Sequence, residues 1–481
     1  MRDSNAGCPE GPFRVGSARF PEYEMSYRLF GAESSAYSTK LRSYLKYKAM
    51  PFEWVPRTAE SESEIQTHAR FATLPILVTA SGFAVHDTTP LVEALEADSP
   101  EPTATPADGA LAFLACVLEE YADVWLAKAV YHYRWGRKKD QRLAAARALD
   151  DYYGANVPAD RKTSEDQAIE TMTSQMKTMG LEGELGGAVE KSFKKFIKLL
   201  DDHLRKHLCL FGERPSVADF AIAGQLIQML KDPTPAKIIE KDGEFVVKWC
   251  EFMADPKANG PFAALDDLKD TLGPIFGEDL AEFFLPWAAE NLETSLAGGE
   301  SFAVTLGKEE IKLVPLRSAA RSFRELRRKF VSGQTIETLK AFTDETASTV
   351  YLLRPARVDQ RPERIPMPIP HGDGPHQEEG AEGAEAGETA EAGETQPQDG
   401  EAREDGGRKR RRRRRGRGGR GEGRAEGEGA EGGEGSADAS GEEVSGEDAP
   451  SGEFAAEADA PESSGDAAPE ADDAPAGDDR A

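Results

Sequence analysis

The stretch Ser34-Ser35-Ala36-Tyr37-Ser38-Thr39-Lys40-Leu41-Arg42 directly follows the short apolar run Tyr27-Arg28-Leu29-Phe30. An extended segment ends there, small hydroxyl residues follow, and an amphipathic helix begins. That order places a hydroxyl and several unshared backbone N–H groups at one helix N-terminus, a ready site for an anion. A thiolate is one such anion.

The elements that must position this stretch can be read around it. Residues 26–31 form a strand and 36–48 a helix, with Leu41, Tyr44, Leu45 and Lys48 at helical spacing. Pro51-Phe52-Glu53-Trp54-Val55-Pro56 is a second strand, and a short helix spans about 61–70. Leu74-Pro75-Ile76-Leu77-Val78 is a third strand, Ser81-Gly82 a turn, and Phe83-Ala84-Val85 a fourth strand. Thr88 opens a helix with Pro90 in its first turn, where proline is tolerated. The order βαβαββα describes a small α/β unit over 25–97. A proline-rich linker at 98–107 follows. From 108 the pattern is helical: Leu111, Leu114, Leu118, Tyr121 and Trp125 recur at helical spacing, as do Phe193, Ile197, Leu200, Leu204 and Leu208. Ser216-Val217-Ala218-Asp219 can cap a helix reciprocally and reads as structural. An extension over 276–355 then contains a helix, a hairpin (Phe302, Val304 and Leu306 against Ile311 and Leu313), and a basic amphipathic helix marked by Phe323, Leu326 and Phe330. Tyr351-Leu352-Leu353 is read as a last strand.

Composition bounds the rest. The chain has 481 residues, a net charge of −28, four cysteines and five tryptophans. Cys8, Cys116, Cys209 and Cys250 form no CxxC pair and no zinc spacing, so free thiols in a reducing cytoplasm are expected. No basic-then-apolar leader and no long apolar run is present, so neither secretion nor membrane spanning is expected. Residues 1–24 carry no periodic pattern and read as a disordered arm; Met25 is a second candidate start. Residues 356–481 are rich in Gly, Ala, Glu and Pro and are expected to be disordered.

Three motifs carry a resemblance. Ser35-Ala36-Tyr37-Ser38-Thr39-Lys40-Leu41-Arg42 is similar to a Cys/Ser-Pro-aromatic-x-x-Lys-Val-Arg helix start. Thr73-Leu74-Pro75-Ile76-Leu77 with His86-Asp87-Thr88-Thr89-Pro90-Leu91 resembles a Val-Pro-x-Leu strand and a Glu-Ser-x-x-Ile helix start. Leu210-Phe211-Gly212-Glu213-Arg214-Pro215-Ser216-Val217-Ala218-Asp219-Phe220 is close to Phe-Gly-x-x-Pro-Ser-x-Ala-Asp. In this order, over 26–275, they resemble the glutathione S-transferase superfamily. The resemblance implies a thioredoxin-like α/β domain followed by an all-α domain (108–275), a homodimer, and glutathione as co-substrate without a metal. It implies a cis Pro75, with Leu74 offering its backbone N–H and C=O to the cysteinyl part of glutathione. It implies Asp87 and Thr88 at the γ-glutamyl end and Ser35 toward the sulfur as the catalytic residue. Activation would be for transfer to an electrophile or for reduction of a peroxide or disulfide. The sequence departs from the pattern: Asp87-Thr88 replaces Glu-Ser, and Ala36 replaces the common proline. Ser35 stands where thiol-transfer members have cysteine, which argues against mixed-disulfide chemistry by the protein itself.

Each of these residues has a plainer role as well. Ser35 and Thr88 are good helix caps, and Ser34, Tyr37 or Ser38 carries the role if the helix starts one residue off. Tyr131, Arg134 and Trp135 end the first long helix of the helical domain, which in this superfamily borders the second-substrate site. They could bind a flat or acidic molecule, or be core and helix-end capping, which is the simpler reading. His203 and His207 are four apart, but no further ligand motif accompanies them. In the tail, Arg408, Arg410, Arg411, Arg412, Arg413, Arg414 and Arg415 lie in an Arg-Gly block (408–420) between acidic flanks. Such a block suits non-specific RNA or another polyanion. The alternative to an enzyme is therefore a transferase-fold scaffold or binding protein tethered by this block.

Overall fold

The computed structural model describes residues 27–70, 73–99, 101–333 and 335–353. The N-terminal arm, Met25, Cys8, the acidic tail and the arginine block lie outside the described residues.

Four strands form the first sheet: β1 (Tyr27–Gly31), β2 (Phe52–Pro56), β3 (Ile76–Val78) and β4 (Ala84–Val85), in the order β2-β1-β3-β4. β1 runs parallel to β2 and antiparallel to β3, and β4 is antiparallel to β3. Helix α1 (Ala36–Tyr47) makes the crossover from β1 to β2, α2 (Glu62–His68) leads to β3, and α3 (Thr88–Asp98) follows β4. The third and fourth strands are shorter than their apolar runs. Pro75 has no N–H to give to a ladder, so pairing starts at Ile76, opposite Phe30. Gly31 is sterically required. A Cβ there would stand 2.6 Å from the Trp54 ring and 2.7 Å from Ser38 Oγ.

The helical part begins with α4 (Gly109–Glu120), widens through a π-helical turn (Tyr121–Leu126) and continues as α5 (Ala127–Trp135). Helices α6 (Lys138–Tyr153), α7 (Arg161–Thr178), α8 (Glu184–Leu204), α9 (Val217–Met229), α10 (Pro233–Asp242), α11 (Glu244–Met253) and α12 (Leu265–Pro274) follow. The reciprocal cap at the start of α9 is formed. Asp219 accepts from the Ser216 N–H at 2.9 Å and hydroxyl at 2.6 Å, and its other oxygen accepts from the Leu210 N–H at 2.9 Å. α9 packs on α1. Gly224 allows the approach, since a Cβ there would sit 2.6 Å from the Ala36 carbonyl oxygen.

No break separates the helical domain from the extension. α12 runs through a π-helical segment (Ile275–Phe284) into α13 (Leu285–Leu296), so a boundary at 275–276 falls inside a helix. The hairpin β5 (Phe302–Leu306) and β6 (Glu309–Leu313) pairs Phe302 with Leu313 and Val304 with Ile311. Its alternation gives one buried face. α14 (Arg317–Gly333) then packs on α13 and α4, burying Phe323, Leu326 and Phe330. Each such side chain contributes about 1.5–3 kcal/mol. α15 (Glu337–Glu345) and α16 (Thr349–Leu352) close the described chain. The expected strand at Tyr351-Leu352-Leu353 is therefore corrected to a helical turn. It packs on α13, α14 and α15 rather than pairing in a sheet, and Leu352 is buried against the core.

His203 and His207 hold no metal cluster among the described residues. His203 is fully buried; its Nε2 donates to the Leu210 carbonyl at 3.0 Å, and Nδ1 lies 2.8 Å from the Thr271 hydroxyl. Burial, then the nearby His207, push its pKa down to about 4. The unfolded value is about 6.5. A depressed folded pKa contributes stability that is complete above pH 6.5 and is lost as pH falls toward 4, about 3 kcal/mol in all. Urea unfolding of the wild type at pH 7 and 4.5 should therefore show a larger acid loss than in His203→Asn. Equal losses would refute this assignment.

Candidate functional site

The register of the sheet decides what comes together. β1 ends at Gly31 and releases the chain toward Ser34 and Ser35. Phe30 pairs with Ile76, so Leu74 and Pro75 enter at that same end of the sheet. Leu77 pairs with Val85, so β4 also runs toward this end and delivers Asp87 and Thr88 there. Ser35, Leu74, Pro75, Asp87 and Thr88 thus converge on one end of the sheet from three strands. The Leu74–Pro75 bond is cis.

Two helices start at this end. Ser35 caps α1: its Oγ accepts from the Ser38 N–H at 3.2 Å, and its carbonyl accepts from the Thr39 hydroxyl at 2.9 Å. Ser35 is buried, at 6 % exposure. Asp87 caps α3, accepting from the Thr89 N–H at 3.2 Å, and is exposed. Thr88 is buried in the first turn. Asp87 has a raised pKa, chiefly from desolvation, which the Thr89 N–H and Lys40 oppose. The two helix starts are tied by Lys40, whose Nζ lies 3.4 Å from Thr89 Oγ1, 2.7 Å from Glu119 and 2.6 Å from Asp123. Thr89 also donates to Glu119 at 3.1 Å. Burial disfavours the Lys40 ammonium, but Asp123 and Glu119 outweigh it and its pKa is raised. Burial lifts the Asp123 carboxyl to about 6 against the pull of Lys40.

The second-substrate candidates lie inside the protein. Tyr131, Arg134 and Trp135 are all buried. Arg134 Nε donates to Asp232 at 2.7 Å, Nη1 to the Ser34 carbonyl at 3.1 Å and Nη2 to the Gln228 carbonyl at 3.2 Å. Its side chain is 2 % exposed and that of Asp232 is 1 %. Arg134 is therefore an interior brace, its donors taken up by Asp232 and two backbone carbonyls. The brace belongs to a set that sequence reading missed. Gln228 Nε2 donates to the Glu33 carbonyl at 3.0 Å and to Thr39 Oγ1 at 2.9 Å, and Lys231 Nζ donates to the Glu33 carbonyl at 2.7 Å. Three helical-domain side chains thus hold the carbonyls of the turn that presents Ser35. The sequence offered one signal, a charged residue inside an aromatic run, but not its partner ninety-odd positions later.

Among the described residues no helix is long and apolar enough to cross a membrane. Cys209 and Cys250 are buried free thiols and Cys116 is partly so.

Residues 34–98 match the glutathione S-transferase N-terminal domain family, and residues 166–252 match the glutathione S-transferase C-terminal domain family. None of the curated proteins compared matches the chain. Among solved structures, it is similar to a glutathione S-transferase from Methylobacterium radiotolerans in complex with glutathione sulfonate. The identity is 20 %, covering 50 % of this chain and 96 % of that one, with a TM-score of 0.28. A tau-class glutathione S-transferase from mango is 14 % identical, over 52 % of this chain and 98 % of its own, at a TM-score of 0.31. A β-etherase from Sphingobium sp. strain SYK-6 is 15 % identical, over 48 % and 96 %, at 0.31. Residues 34–98 and 166–252 thus carry the N- and C-terminal domains of the glutathione S-transferase superfamily.

Proposed function

We propose that the shared end of the sheet binds glutathione and activates its thiol for transfer to an electrophile, or for reduction of a peroxide or disulfide. The observation that carries this reading is the convergence of Ser35, Leu74, Pro75, Asp87 and Thr88 beside two helix N-termini. The residues fit the ligand chemically. The exposed Asp87 carboxylate can take an ammonium, the first turn of α3 a carboxylate, and the backbone of Leu74 a peptide group. The Ser35 oxygen already accepts the Ser38 N–H, which leaves its O–H to donate to a thiolate. With the α1 N-terminus, that donation lowers a thiol pKa from about 8.5 toward neutrality. The thiol proton leaves to solvent, the sulfur lone pair forms the C–S bond, and the electrophile's leaving group departs with its electron pair.

Ser35→Ala is expected to lower the thiol-transfer rate at pH 6.5 by about tenfold or more and to shift the pH–rate midpoint upward, because one charge-assisted hydrogen bond is worth about 1.5–3 kcal/mol. Loss of the cap costs about 1 kcal/mol of stability besides. Assay with 1-chloro-2,4-dinitrobenzene across pH 6–9 checks both. An unchanged midpoint removes Ser35 from the chemistry. The chain is further proposed to act as a cytoplasmic homodimer. A second reading, a non-catalytic scaffold, draws on the near-complete burial of Ser35. In that reading Arg408 to Arg415 deliver the fold to RNA or another polyanion, and a full chain that turns over no electrophile or peroxide would favour it.

A further inference from the structure

The amphipathic helix α14 has two faces of opposite chemistry. Ala319, Ala320, Phe323, Leu326 and Phe330 are buried. On the other side, Arg317, Arg321, Arg324 and Arg328 recur at i, i+4, i+7 and i+11, which at 3.6 residues per turn forms one stripe. Arg317, Arg321 and Arg328 are exposed, and Arg324 is partly so. Arg328 pairs with Glu325. Among the described residues, no ion pair involves Arg317, Arg321 or Arg324. Like charges three and four apart on a helix repel one another, so this stripe is a standing repulsion that an anion would relieve.

The geometry selects the anion. The stripe spans about 16 Å at 1.5 Å per residue, so one small anion cannot satisfy it. A polymer with a charge every few ångströms can, and a nucleic-acid strand carries one per about 3.4 Å. Guanidinium groups match phosphate oxygens in a bidentate fork. A lipid surface fits less well, because interfacial helices present bulky apolar side chains to the bilayer. Here those of α14 are in the core, and only Val331 is exposed beside the stripe. No aromatic residue accompanies the arginines, so bases would not be stacked or read.

We propose that the arginine face of α14 binds the phosphate backbone of a nucleic acid without sequence preference. The site lies in the folded body and is distinct from both the glutathione site and the arginine block of the tail. The test titrates the full chain into a fluorescein-labelled oligouridylate over a salt series, read by anisotropy. The triple variant R317Q/R321Q/R324Q should bind at least about tenfold more weakly at low salt, and its log K against log salt slope should be shallower by about 2, near 0.7 per phosphate contact. R317K/R321K/R324K should keep the slope. The same glutamine triple, placed in a full chain whose 408–420 arginines are replaced by glutamine, should weaken the residual binding again. An unchanged affinity and slope in the glutamine triple would overturn the proposal, as would equal losses in the lysine and glutamine triples. Binding to phosphatidylserine vesicles but not to oligouridylate would overturn it too.

Discussion

Arg134→Ala should lower the unfolding free energy by about 3–5 kcal/mol, the usual cost of removing one partner from a buried ion pair. The change does more than leave Asp232 short of a cation. It strips donors from the Ser34 and Gln228 carbonyls, which lie where water does not replace them. Arg147 still reaches Asp232 at 2.7 Å, and that contact sets the lower end of the range. Arg134→Lys should recover little, because a point ammonium cannot serve three acceptors in one plane. Urea unfolding measures this directly. A loss under about 1 kcal/mol, with a raised KM for the electrophile, would return Arg134 to the substrate-binding role that its neighbours Tyr131 and Trp135 suggest in sequence.

Lys40→Met is the second large effect. Its ammonium is the only cation among the described residues that bonds both Glu119 and Asp123, and all three are largely buried. Without it two carboxylates face each other and Thr89, at a cost of about 3–5 kcal/mol near pH 8. Burial already raises the Asp123 carboxyl above the usual carboxylate range. It therefore gains its proton early as pH falls, and the same substitution should cost less at pH 5. Unfolding at the two pH values tests the sign: a penalty independent of pH would mean that Lys40 matters for packing alone. The same variant loosens the link between the starts of α1 and α3, so weaker glutathione binding is expected alongside.

Much of the architecture was legible because it rests on periodicity. Alternation at Phe302, Val304 and Leu306 gave the hairpin, and helical spacing at Phe323, Leu326 and Phe330 gave α14. The Ser216–Asp219 cap was legible because its two residues are three apart. Local signals reached their limit where tertiary contacts decide. Tyr351-Leu352-Leu353 is apolar enough for a strand, but packed among α13, α14 and α15 it completes a helical turn. The wide turns at Tyr121–Leu126 and Ile275–Phe284 leave no mark in an apolar run. Arg134, Gln228 and Lys231 are far apart in sequence, so nothing local says that they meet at the Ser34–Ser35 turn. In the site, Ser35 was visible as a helix start; the second cap was expected at Thr88, and the structure places it one residue earlier, at Asp87. That one end of a sheet collects them follows from strand register, which the sequence does not state.

The most direct measurement is calorimetric titration of glutathione into the full chain and into Asp87→Asn. Asparagine caps a helix as well as aspartate does, so α3 should keep its start while the carboxylate charge is lost. Saturable binding by the wild type, weakened about 10–100-fold in the variant, is the predicted result. No saturable binding by the wild type would contradict the assignment of this sheet end as a glutathione site.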